Sequence, residues 1–239
     1  MSSVNLQALL TGAVAPLTGA LPGAGGSRTV PSGIAKRPVS APLPLGATGF
    51  SGDAQGDTRH HGGPEKAVHH YPLDHYDGWR ADLGAHPLLT AAGAFGENLS
   101  TLGLDEAVVA VGDVFRLGTA VVQVSQGRQP CFRLNLRFGR PDMARRVQAS
   151  GRTGWYYRVL QPGVVGPDDT LTLIDRVAPA WTLARLWRTL YADPLHRGEL
   201  QRMAALTPLA EGWRLLAARR LASGAVEDWG RRLDGPAAE

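Results

Sequence analysis

With 239 residues, 44% of them hydrophobic and 19% charged, the chain is too apolar for a disordered protein and long enough to bury a sizeable core. Its net charge is +4 and its pI about 9.6, but the positive charge is almost all arginine, Lys36 and Lys66 being the lysines. No stretch gathers it with aromatics as a nucleic-acid groove would, and the single cysteine, Cys131, excludes an internal disulfide framework and the paired-cysteine zinc patterns.

The first 26 residues are apolar but lack the basic start of a secretory leader and are broken by Pro16 and Pro22. No run reaches the ~20 apolar residues that cross a bilayer, so a cytoplasmic protein without a membrane partner is expected. Residues 8–14 predict a first strand, then a Gly- and Pro-rich loop to Ser32, then a second strand over 34–39. Residues 49–64 are glycine-rich and polar, a loop beside a site or a plain surface loop. Leu73, Tyr76, Trp79 and Leu83 follow the helical period behind Pro72, which predicts a short helix over 72–83.

Residues 93–99 form another tight loop. Short apolar runs at 108–111, 114–117 and 119–125, punctuated by Gly112 and Gly118, read as antiparallel strands, with two more at 155–160 and 170–177. Residues 32–177 thus predict a closed or nearly closed sheet. From Trp181 to Leu233 the chain is rich in Ala, Leu and Arg and is divided at Pro194 and Pro208 into three helix-length pieces with apolar stripes such as Leu183, Leu186, Trp187 and Leu190. The expectation is a mostly β body over residues 1–177 and a three-helix unit over 178–239, α+β in all.

Cys131 follows a predicted strand and precedes an amphipathic run with Phe132, Leu134, Leu136 and Phe138, while Pro130 ends the strand. A thiol at a strand-to-helix junction, with Arg128 three residues upstream, is placed to ionise easily. The thiolate is a nucleophile and a soft metal ligand, and the residues leave both roles open beside that of an inert buried cysteine. Five histidines lie between positions 60 and 75, but no His-Glu-x-x-His frame or i, i+4 pair appears. Hydrogen-bonding roles fit them better than a metal site, and His61 is the best candidate for a site contact. The glycine-rich segments match neither a P-loop nor a Gly-x-Gly-x-x-Gly fingerprint. Lys36, at a strand end, is a phosphate contact or a surface lysine, and Asp113 a turn or a site residue.

Several motifs occur in a fixed order. They are Ile34-Ala35-Lys36, the Gly49-x-x-Gly52-Asp53-x-Gln55 loop, His61-Gly62-Gly63-Pro64-x-Lys66-Ala67, Tyr76-x-x-Trp79, Gly93-x-Phe95-Gly96-Glu97-Asn98-Leu99, Gly112-Asp113, Gln123-Val124-Ser125-Gln126-x-Arg128-x-Pro130-Cys131 and Thr153-Gly154-Trp155-Tyr156. In that order the chain resembles the YiiM-type MOSC domain proteins from about residue 10 to 233, including their three-helix extension. The resemblance implies a β-barrel-like body that holds the molybdenum cofactor (molybdopterin), with Cys131 as ligand to molybdenum. It further implies that Arg128, Lys36 and backbone N–H groups near Ser125 hold the pterin phosphate, and that His61 and Asn98 line the substrate side and donate hydrogen bonds or a proton. The implied activity is reduction of N-hydroxylated compounds such as N-hydroxylaminopurines, hydroxylamines and amidoximes, a detoxification, with electrons from a separate redox protein. A non-catalytic carrier of the cofactor or of sulfur on Cys131 is the alternative, and a homodimer stays open. Gly127 departs from the pattern, standing where relatives commonly carry proline.

Overall fold

The fold is known from a computed structural model that describes residues 3–20, 27–58 and 61–236. Along the described residues the body runs β1 (Ser3–Thr11), β2 (Ala15–Ala20), β3 (Ser27–Ser32), β4 (Arg37–Pro38), β5 (Leu43–Gly46), β6 (Gly49–Phe50), β7 (Val68–His70), α1 (Asp74–Leu83), β8 (Leu99–Thr101), β9 (Asp113–Leu117), β10 (Ala120–Gly127), α2 (Arg133–Phe138), α3 (Met143–Ser150), β11 (Trp155–Gln161), β12 (Gly163–Val165) and β13 (Thr170–Arg176). The helices α4 (Leu183–Trp187), α5 (Arg197–Ala204), α6 (Glu211–Ser223) and α7 (Gly230–Asp234) follow.

A seven-stranded barrel in the order β13-β9-β10-β11-β7-β8-β1 forms the body, because β1 pairs with β8 on one side and returns to β13 through Ser3↔Thr172, Val4↔Leu171 and Asn5↔Thr170. Closure leaves no open edge within the ring. The tightest step is the β9–β10 hairpin, whose two-residue turn needs Gly118 at φ 57°; a Cβ there would also fall 2.3 Å from the Val164 carbonyl oxygen. Alternation along β10 sends Ala120, Val122 and Val124 inward, where they are fully buried with Val68, Leu99, Phe115, Leu117, Trp155, Tyr157 and Leu171. Together with the helices this gives an α+β chain whose sheet dominates.

The strands over 114–117, 119–125, 155–160 and 170–177 form within a residue or two of the positions expected. Others differ, each for a local reason. The first strand begins at Ser3 rather than residue 8, since the polar Ser3 and Asn5 pair across to β13. The stretch after it is not a loop: β2 and β3 pair from Ala15↔Ser32 to Ala20↔Ser27 as a two-stranded ribbon. The strand expected over 34–39 shrinks to β4, two residues paired to the end of β1. Residues 108–111 contribute a single bridge, Ala110↔Thr182, because the Asp113 carboxylate takes the Ala110 N–H at 2.9 Å. The three-residue β7 and β8 are too short to show a period.

Pro194 and Pro208 do separate the helices, α4 running on as a π turn over Arg188–Ala192. Leu183, Leu186, Leu200, Met203, Trp213 and Leu216 are buried in one continuous cluster with the barrel interior. The short α7 leaves this unit and places Leu233 in a second cluster with Leu134, Phe138, Met143 and Val147 of α2 and α3. Among the described residues, no helix is long and apolar enough to cross a membrane.

Candidate active site

β10 ends at Gly127, and the chain passes through Arg128, Gln129 and Pro130 to Cys131, from which the first turn of α2 starts with the Leu134 N–H donating to the Cys131 carbonyl at 2.9 Å. The thiol is 8% exposed. Its Sγ lies 3.7 Å from His61 Nε2, brought in by the loop after β6, where the His61 N–H donates to the Asp57 carbonyl at 2.9 Å. Arg133 fastens the same loop, with one guanidinium nitrogen 3.5 Å from His61 Nε2 and another 3.4 Å from the Asp57 carboxylate. Burial pushes the thiol up. The hydrogen bond and charge of His61, the charge of Arg128 and the backbone N–H of Arg133 outweigh it and bring Cys131 down to about 6. These groups favour the thiolate, and His61 contributes more to that than the start of a helix does.

Of the residues anticipated from the sequence, Cys131, His61, Arg128, Lys36 and Asn98 line one inner cleft. Arg128 is 6% exposed; its backbone N–H donates to Gly154 at 3.0 Å, while its Nη1 is buried without a partner. Lys36 is ion-paired with Asp53, whose carboxylate also accepts from Gly12 N–H at 2.9 Å and from Asn98 Nδ2 at 3.0 Å. Burial holds Lys36 below its ordinary range against the pull of Asp53. The amide of Asn98 is engaged on both ends, Nδ2 also donating to the Leu10 carbonyl at 3.1 Å and Oδ1 accepting from His69 N–H at 3.0 Å. Asn98 thus stitches β1, β7 and the Asp53 loop together at the cleft wall. Ser125 does not reach the cleft: its hydroxyl donates to the Glu65 carbonyl at 2.6 Å, with the Tyr156 carbonyl at 3.1 Å. Asp113, at the start of β9, is bound to Arg176 at 2.7 and 2.9 Å and does not line the cleft. His60 falls outside the described residues.

The structure adds four residues around the sulfur that sequence reasoning did not single out for a role: Lys66, His69, Arg133 and Tyr156. His69 is held neutral by burial first and by the neighbouring Arg128 charge second. Its ring and that of Tyr156 lie 5.0 Å apart. Lys66 and Tyr156 stand inside quoted motifs, so their positions were signalled though their direction was not. Arg133 lies in an apolar run that reads as packing. An outer cavity of about 540 Å³ meets the inner cleft at His61, Lys66, Cys131, Arg133 and Tyr156, and its far wall is Asp228, Arg231 and Arg232. Cys131 thus stands at the junction of two spaces. Among the described residues no three His, Cys, Asp or Glu side chains converge to cage a metal ion.

The MOSC domain description matches residues 57–172, and that of the YiiM-like 3-alpha helix domain residues 181–224. Protein YiiM of Escherichia coli K12 is 40% identical over 205 residues, which cover 86% of this chain and 91% of that one. A crystal structure of YiiM from Escherichia coli superposes with a TM-score of 0.75 at 38% identity, covering 82% of this chain and 93% of the other. A protein of Gibberella moniliformis named "Reductase" is 40% identical over 164 residues, 68% of this chain but 29% of its own length. With the likeness running through barrel and helices alike, the chain belongs to the YiiM-type MOSC domain proteins.

Proposed function

We propose that the protein holds a molybdenum cofactor through Cys131 and reduces small N-hydroxylated compounds. One observation carries this reading: a buried thiol lowered to about 6 stands where a basic inner cleft meets an outer cavity large enough for a small molecule. The residues fit the group. The unpartnered Nη1 of Arg128, buried at the cleft, is a donor awaiting an anionic or carbonyl oxygen. That no three protein donors gather to cage a metal among the described residues suits a metal held by the Cys131 thiolate whose remaining ligands come from its own organic carrier. MOSC membership and the name of the fungal relative point the same way.

When bound, the cofactor supplies a centre that passes two electrons. The overall reaction, R–NHOH + 2 e⁻ + 2 H⁺ → R–NH₂ + H₂O, then asks the protein for substrate binding and for protons. His61, 3.7 Å from the sulfur and open to both spaces, is placed to hold a proton for the departing hydroxyl, with Arg133 and Asp57 fixing its loop. Lys66 and Tyr156 wall the same junction. The electrons come from a separate redox protein.

Molybdenum per chain, measured after expression in a host that makes the cofactor, tests the ligand assignment. Native protein is expected near stoichiometry and Cys131→Ser at less than a tenth of it; full metal in the variant would refute ligation by Cys131. Reduction of an amidoxime with a chemical electron donor tests the activity, and a loaded protein that turns over no such compound is a carrier instead.

A further inference from the structure

The chain beyond Gly224 lies outside both family matches, which end at residues 172 and 224, yet it is built into the site. Glu227 accepts from Arg220 at 2.8 and 2.9 Å and from Trp229 Nε1 at 2.9 Å, and Trp229 meets Tyr191 edge to face. From this anchor α7 crosses to α2. There Asn135 Nδ2 donates to the Leu233 carbonyl at 2.8 Å, and Leu233 itself is 1% exposed.

Arg232 then grips both neighbours of the cysteine. Its guanidinium Nη1 donates to the carbonyl of Pro130 at 2.6 Å, and its main-chain carbonyl accepts from the N–H of Phe132 at 2.8 Å. Pro130 has no N–H of its own, so its carbonyl is the one main-chain hydrogen-bonding group through which that residue can be held. The second arm, Nη2, donates to Gln148 Oε1 of α3 at 2.6 Å, which fixes the plane of the fork. Arg232 also lines the outer cavity.

We propose that Arg232 is a positioning residue for Cys131, the C-terminal segment acting as the rear clamp that holds the thiol at the junction of the two spaces. The clamp completes the site assigned above, and in that respect it rests on the cofactor reading. Its geometry is a property of the protein alone.

Because Cys131 is the only cysteine, thiol reactivity of the full-length, metal-free chain reports on this one loop. At pH 8, well above the thiol's own range, an aromatic disulfide reagent is expected to react at least about five-fold faster with Arg232→Met than with the native chain. Arg232→Lys, which keeps one donor for Pro130, should fall between them. Arg145→Ala is the control: it cuts the salt bridge from α3 to Asp234 at the outer side of α7 and leaves the clamp alone, so its rate should stay native. Equal rates for native and Arg232→Met would overturn the proposal, as would an Arg145→Ala chain that is equally fast, since docking of α7 in general would then be the cause. In protein loaded with molybdenum, Arg232→Met is expected to lose most of its metal on dialysis while native protein keeps it. A native chain that takes up no molybdenum sinks the cofactor reading and leaves the thiol comparison to decide this one. Should Arg232→Met fail to fold, Gln148→Leu, which frees the fork from α3, should itself raise the thiol rate above native, and a native rate there counts against the clamp.

Discussion

His69 and His70 are adjacent on β7 and point to opposite faces, as strand geometry requires. His69 lines the cleft, whereas His70 enters the barrel core, its Nδ1 3.0 Å from the Tyr157 hydroxyl, its Nε2 2.9 Å from Thr101 Oγ1 and its ring 4.3 Å from that of Trp155. Burial lowers His70 to about 3. The unfolded chain binds this proton below about 6.5, while the folded chain refuses it until near 3, so stability is full above 6.5 and falls by ~1.4 kcal/mol per pH unit below it. His70→Gln removes that slope. In urea titrations between pH 7 and 4, the native curve should fall more steeply than the variant's by about one proton; parallel curves would mean that His70 is protonated while folded. In the sequence His69 and His70 are not told apart, because a strand of three residues shows no alternation to sort inward from outward.

At the scale of elements, the inner cleft exists because two loops touch through glycines. A Cβ on Gly33 would fall 1.8 Å from the Ala54 carbonyl oxygen, and one on Gly56 2.3 Å from that of Pro31, so the chain leaving β3 lies directly on the loop after β6. Gly33→Ala must push the loops apart. It is expected to cost about 2 kcal/mol or more in chemical unfolding and to lower molybdenum retention; unchanged stability would mean that the loops yield freely. This arrangement also explains what could be read in advance. β10, β11 and β13 were legible from β-branched runs between turns, and Cys131, Arg128, Lys36 and His61 from motifs that keep local order. The β2–β3 ribbon was not, since Pro16, Gly19 and Pro31 disguise paired backbone as loop. Nor was Asn98's role, because the loop motif gives its place but not the three groups that consume its amide. Arg232 meets Pro130 across 102 residues of chain, a contact that only the packing of α7 on α2 creates.

For the whole molecule the question is whether barrel and helices fold as one unit. The family matches divide the chain between residues 172 and 181, but the interior does not follow that division. Main-chain bonds cross it repeatedly: Val111 N–H to Trp181, Leu183 N–H to Val109 and Ala210 N–H to Ser125, all at 2.9 Å, and Ala184 N–H to Glu106 at 2.7 Å. The last β10 residue, Gly127, lies so close to Trp213 that a Cβ would stand 3.3 Å from the indole ring. The tryptophan that α6 supplies thus packs directly against Gly127, immediately behind the Cys131 loop. Trp213 is 7% exposed, so Trp213→Ala leaves a cavity at the junction and is expected to cost ~3–5 kcal/mol. If the core is shared, far-ultraviolet circular dichroism and near-ultraviolet aromatic signals should shift together to one earlier transition, and the thiol of Cys131 should become reactive in that same transition. Loss of helical signal first, with the thiol still protected, would show instead that the helices melt on their own and that the barrel keeps the site without them.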